Sequence, residues 1–186
     1  NSESPLLQLN LTVFFEGFYN AGTDSQVSDT VRVYLRNSSS PYQAVDSAKA
    51  IADVNGSAVL IFANAPSDTY YVALAHRNTI ETWSASSIAM TNGDSANYNM
   101  SVSIVQAFGN NLIQVDNSPV RFALYSGDAN QDGTVDATDL SIIDNDAANF
   151  SSGYLPTDIN GDDFVDGTDF AIADNNAANF ISVIEP

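Results

Sequence analysis

The chain has 186 residues, with 23 Asp and Glu against five Lys and Arg, a formal net charge of −18, and no cysteine. This length accommodates one domain of ordinary size plus a small module. The charge makes nucleic acid a poor partner, the lack of cysteine excludes disulfide and thiol chemistry, and no apolar run reaches the length of a membrane-spanning helix. The charge is also uneven: residues 1–126 hold all five bases and ten acids, whereas residues 127–186 hold thirteen acids and no base. Two units are therefore expected, a domain over 1–126 and a module over 127–186. The chain opens at Asn1 rather than Met, as a mature end left by signal-peptide removal would.

Residues 1–5 read as a polar leader, and Leu9, Leu11, Val13 and Phe15 then alternate with Asn10, Thr12, Phe14 and Glu16, which predicts a first strand over 6–15. Residues 1–15 are also a candidate donor strand. Such a segment can enter the open edge of a neighbouring copy, and a head-to-tail contact of this kind builds a filament. Leu9, Leu11, Val13 and Phe15 would be the assembly residues. Further alternation follows in Val31, Val33 and Leu35, and in Tyr70, Val72, Leu74 and His76, with an apolar run over Ala58–Phe62. Segments 80–83, 98–104 and 120–125 complete seven or eight short strands, separated by turn-forming clusters such as Asn55-Gly56 and Asn92-Gly93-Asp94. This punctuation predicts a mainly β, antiparallel sandwich.

Beyond residue 126 the pattern changes. Asp128, Asn130, Asp132, Thr134, Asp136 and Asp139 recur thirty residues later as Asp158, Asn160, Asp162, Phe164, Asp166 and Asp169. Calcium takes six to eight oxygens, and a 12-residue loop supplies them from positions 1, 3, 5, 7, 9 and 12, position 7 through its carbonyl. Both segments carry oxygen donors at those places, so two calcium ions are expected, and their charge would offset the mutual repulsion of the loops' acids. The similarity runs on through residues 139–150 and 169–180. It reads as a loop followed by a short helix, twice, two units that can bury their apolar faces only against each other. Val135 and Val165, at position 8 of the loops, are expected to pair with each other.

A duplicated calcium loop with a helix on its C-terminal side resembles the type I dockerin, over roughly residues 127–181. The resemblance implies that Asp128, Asn130, Asp132, Asp136 and Asp139, and Asp158, Asn160, Asp162, Asp166 and Asp169, hold the metal. Thr134 and Phe164 would add carbonyls, and a cohesin would be the partner. This chain departs from the family in having Asp163 at position 6 of the second loop, where Gly is usual, and no Lys or Arg on the stretches after the loops. Residues 68–83 resemble strands of prealbumin-like and CnaB-like sandwich modules of bacterial surface proteins, which implies an extracellular structural role.

The chain has one histidine, His76, and the acids outside the loops, among them Glu16, Asp53, Asp68 and Glu81, are scattered. A His76–Glu81–Ser triad can be imagined, but a histidine in strand alternation is more often a structural hydrogen-bonding group, and no catalysis is expected. Sugar binding through Trp83 and Tyr19, Tyr34, Tyr42, Tyr70 and Tyr71 is the alternative function. The sequence thus points to a secreted or cell-surface, bacterial, calcium-stabilised structural protein. It would be a subunit of an extracellular filament, with copies of itself as first partners and glycans or a cohesin-like protein as alternatives.

Overall fold

A computed structural model describes residues 6–186, so the leader Asn1–Pro5 lies outside the described residues. Among the described residues twelve strands precede two α-helices. The strands are β1 (Leu7–Thr12), β2 (Tyr19–Asn20), β3 (Ser25–Gln26), β4 (Asp29–Asn37), β5 (Ala44–Ala52), β6 (Ser57–Phe62), β7 (Asp68–His76), β8 (Thr79–Trp83), β9 (Ile88–Met90), β10 (Ser95–Asn99), β11 (Ile113–Asn117) and β12 (Val120–Ala123). The helices are α1 (Ala137–Ala148) and α2 (Gly167–Ala178).

The strands form a sandwich. One sheet runs β10-β1-β6, and the other runs β5-β4-β7-β8 with β9 added to β7. Alternation explains which side chains meet between them, because successive residues of a strand point to opposite faces. Leu9 and Leu11 of β1, Leu60 of β6, Val33 and Leu35 of β4, and Val72 and Leu74 of β7 are buried in one core. The pairings are antiparallel except that of β1 with β10, which is parallel. Chain order alone does not set this, since a parallel pair needs only a long enough return.

The apolar run 58–62 is an alternating strand, with Ala58, Leu60 and Phe62 buried and Val59 and Ile61 exposed. The strand expected over 98–104 ends at Asn99, and residues 104–106 turn as a 3-10 helix. The longest unforeseen strand is β5, Ala-rich, with Ala48, Ala50 and Ala52 turned to the core and Val45 and Ile51 exposed. It becomes a strand by pairing with β4 along nearly its whole length.

The first strand stops at Thr12, short of residue 15. It pairs on one edge with β6 and on the other with β10, within its own chain. Leu9, Leu11, Val13 and Phe15, the candidate assembly residues, are all buried in this chain's own core.

A second, smaller core lies under the helices. Ile143 of α1 and Ala173 of α2 meet Ala129, Ile159 and Val165 from the loops. Each helix opens on a capping box, Asp136 with Asp139 and Asp166 with Asp169. These reciprocal bonds satisfy amides that a helix start leaves unpaired.

Candidate metal centre

The two loops are built alike. Asp128 accepts the Asp132 and Gly133 amides at 3.1 and 3.0 Å, and Asp158 accepts those of Asp162 and Asp163 at 3.2 and 3.1 Å. Asp139 Oδ1 accepts the amides of Ala129 and Asn130, and Asp169 Oδ1 those of Ile159 and Asn160. Asn130 and Asn160 each turn Nδ2 to the next acid, Asp132 or Asp162. Asp136 and Asp166 accept from the amides of Thr138 and Thr168. The loop acids therefore curl the backbone around a common centre from inside. Position 6 needs a left-handed backbone, and Asp163 adopts it with φ +69°, as Gly133 does at +90°. Asp tolerates that region better than most residues.

The expected contact between Val135 and Val165 is not how the loops are joined. The Val135 amide donates to Ile181 and the Val183 amide to Gly133, so the first loop pairs with the segment after α2. The second loop pairs with the segment after α1, through Val165 to Ser151 and Gly153 to Asp163. Each repeat thus closes the other's loop, and the backbone groups that a valine pair would have used are already taken. This crossed pairing also aims the carbonyls. Thr134 and Phe164 sit midway between the bonded amides, opposite Ser182 and Ser152. A residue in that place directs its own N–H and C=O away from the pairing strand. Their amides do point away, to Asp132 and Asp162 at 3.0 Å, and the carbonyls lie on the same side, toward the loop.

Asp128, Asp139, Asp158 and Asp169 are almost wholly buried. Burial pushes the Asp128 carboxyl up to about 6, with the charges of Asp139 and Asp132 adding to the shift. Burial likewise raises Asp139, Asp158 and Asp169. Among the described residues the carboxylates do not converge into a tight cage, as expected for like charges that repel. The donors are all hard oxygens of the kind calcium prefers, and two carbonyls face the loops. The chemistry of the donor set suits calcium.

The second loop is also tied to the sandwich. Arg77, just past β7, gives Nε to Asp29 at 2.8 Å, donates to the Leu155 carbonyl, and reaches Asp158 at 3.5 Å. Its guanidinium lies 4.1 Å from the Tyr154 ring centre, and Tyr154 donates to Asp29 at 2.7 Å. Asn78 donates to the Asp158 carbonyl at 2.8 Å. Near the first loop, Gln131 reaches Thr79. Across α2, Asn176 Nδ2 bonds Glu16 at 2.6 Å and the Ser126 carbonyl at 2.8 Å.

None of these tethers was legible as a site. One signal was available: the repeats differ in charge at Asp146 and Asn176. Asp146 accepts from Thr157 within the module, whereas Asn176 must donate to the carboxylate of Glu16. His76 is structural, as expected. It stacks on Phe15 at 3.8 Å and bonds Asp29 at 3.1 Å. Glu81 lies with Arg36 and Trp83 instead, so the imagined triad is not assembled.

Residues 126–177 match the family model of the dockerin type I domain. The C-terminal third is similar to a type I dockerin. The match takes in both loops and nearly all of α2 and leaves out the sandwich. No curated protein matches the chain. Two solved structures are similar over most of its length, both mutant type II cohesin–X-dockerin complexes from Acetivibrio cellulolyticus. The C-terminal interface mutant has TM-score 0.45 and 13% identity, covering 95% of this chain and 99% of that one. The N-terminal interface mutant has TM-score 0.44 and 14% identity, covering 94% and 97%.

Proposed function

We propose that this is a non-catalytic extracellular protein in which residues 127–186 form a calcium-stabilised, partner-binding module carried on a sandwich of residues 1–126. The observation that carries the reading is the duplicated loop, whose acids take matching hydrogen bonds in both copies, with Asp158 also accepting the Gly161 amide. One ion would be held by Asp128, Asn130, Asp132, Asp136, Asp139 and the Thr134 carbonyl. The other would be held by Asp158, Asn160, Asp162, Asp166, Asp169 and the Phe164 carbonyl. Calcium supplies positive charge to a module that has no base of its own, and so joins the two loop-helix units.

The partner is taken to be a cohesin-like protein. Phe150 and Phe180, equivalent in the two repeats, are 89% and 88% exposed, and both hold a positive φ. Aromatic side chains held in water at a cost in backbone conformation suit a protein interface, where such residues often dominate affinity. Filament formation by strand exchange stands behind this reading, because β1 would have to give up pairing on both edges.

The test is calorimetric titration of calcium into chelator-stripped protein. Two sites are expected, with Asp128→Ala and Asp158→Ala each removing one. Titrations that show no binding, or variants that bind like the parent, would defeat the proposal. For the partner, Phe150→Ala with Phe180→Ala should abolish capture by a cohesin that the parent binds.

A further inference from the structure

The chain has five basic side chains, and three of them, Arg32, Lys49 and Arg77, line one cleft of about 290 Å³. Tyr34 and Tyr154 line it as well. The cleft lies where the outer face of β4 and β5 meets the C-terminal module, which contributes Tyr154 and Gln131.

Arg77 adds little free charge, because Asp29 and Asp158 are beside it. Arg32 and Lys49 differ. They are direct partners in the β4–β5 ladder, so their side chains share a face, and like charges so placed oppose strand pairing. Neither makes an ion pair among the described residues, and Arg32 has only a long contact to Ser47, at 3.5 Å. In a chain with 23 acids to five bases, two cations facing each other without an acid serve no evident need of the fold. A cleft also concentrates their field.

The walls narrow the ligand further. Arg32 lies over the Tyr34 ring at 5.7 Å, and Tyr154 is 65% exposed with Arg77 against it. Aromatic rings beside a pair of cations match a ligand with a flat or ring-shaped apolar surface and a negative group. The cleft is of the size of a small-ligand site and has room for a sugar ring.

We propose that this cleft binds an acidic glycan, one uronate ring lying by Tyr34 and Tyr154 with its carboxylate between Arg32 and Lys49. The site uses none of the proposed calcium-binding residues and neither Phe150 nor Phe180, although Gln131 of the first loop forms part of its wall. Of the aromatics expected to serve sugar binding, Tyr34 belongs to the cleft, while Tyr70 is buried in the core, Tyr19 is bonded to Asp116, and Tyr42, Tyr71 and Trp83 pack on one another outside it.

The test uses the full chain in calcium, titrated with a hyaluronan hexasaccharide, with neutral chitohexaose, and separately with inorganic phosphate and a peptide bearing a free C-terminal carboxylate. Hyaluronan is expected to bind, more tightly at low salt, and chitohexaose to bind at least tenfold more weakly. Arg32→Gln with Lys49→Gln should lower hyaluronan affinity at least tenfold while leaving the melting temperature equal or higher, since a repulsion is relieved. Absence of hyaluronan binding at low salt would overturn the proposal, as would equal binding by the double variant. Binding of phosphate or peptide in preference to hyaluronan would overturn the glycan assignment and point to a simple anion site.

Discussion

Replacing Arg77 by alanine should be the most damaging single change between the sandwich and the helical module. Its guanidinium holds Asp29 at 2.8 Å with side-chain exposures of 12% and 3%, and it reaches Leu155 and Asp158 on the other side. Removing one partner of a buried ion pair costs about 3–5 kcal/mol, because the other charge stays buried. Asp29 would retain Tyr154, His76 and the Thr30 amide, which places the expected loss near the lower end, at about 3 kcal/mol. For a chain of this size that corresponds to a fall in melting temperature of about 6–12 °C. Differential scanning calorimetry in calcium and in chelator measures it, and the share of the loss due to Asp29 is expected in both, since Asp29 is not among the proposed metal ligands, whereas the share due to Asp158 depends on calcium. Arg77→Lys should recover part of the loss, keeping the charge but not the fork that serves Asp29, Leu155 and Asp158 together. A loss below about 1 kcal/mol for the alanine variant would refute the reasoning, because an exposed ion pair is worth no more than that.

Asn176→Asp would set a second carboxylate against Glu16, already pushed up by burial. It also removes the donor to Ser126, so a loss of about 2 kcal/mol or more is expected by denaturant titration, with no loss for Asp146→Asn of the same size. Gly17→Ala would bring a Cβ to 2.1 Å from the Ile159 carbonyl oxygen, a backbone atom of the second loop. Overpacking of that kind costs about 1–3 kcal/mol, and an unchanged melting temperature would contradict the close approach. Burial lowers the His76 imidazole from its ordinary value, against the opposing pull of Asp29. The single histidine resonance should therefore titrate with a midpoint below the ordinary value of 6.5. The unfolded chain takes up a proton as pH falls through 6.5 while the folded one does not, so His76 contributes stability that is lost on acidification from that pH downward. A midpoint at or above 6.5 would contradict its burial.

The repeated acidic loops were legible because their positions lie within twelve residues and occur twice, so spacing alone sets their matching hydrogen bonds. The strands over 31–35 and 70–76 were legible for a related reason: one buried face leaves a period of two in the sequence. β5 left no such trace, since its inward face is made of the small residues Ala48, Ala50 and Ala52 while Val45 and Ile51 are exposed, so no apolar–polar alternation marks it, and its conformation comes from β4. The first strand was legible, but its role was not. Alternation in Leu9, Leu11, Val13 and Phe15 shows that one face is buried, and is the same whether the burying sheet belongs to this copy or to another.

By itself the sequence determined two apolar cores of different period, the acids of the paired loops, and the concentration of negative charge in the last third. Only the tertiary structure decided that each repeat closes the other's loop. It also decided that Arg77 joins Asp29 to Asp158, and that Arg32 faces Lys49 over an open cleft. These contacts link residues 48 and 81 positions apart in the first case, and depend on strand register in the second. Local pattern fixes which face of an element is apolar; long-range pairing decides which charges that element meets.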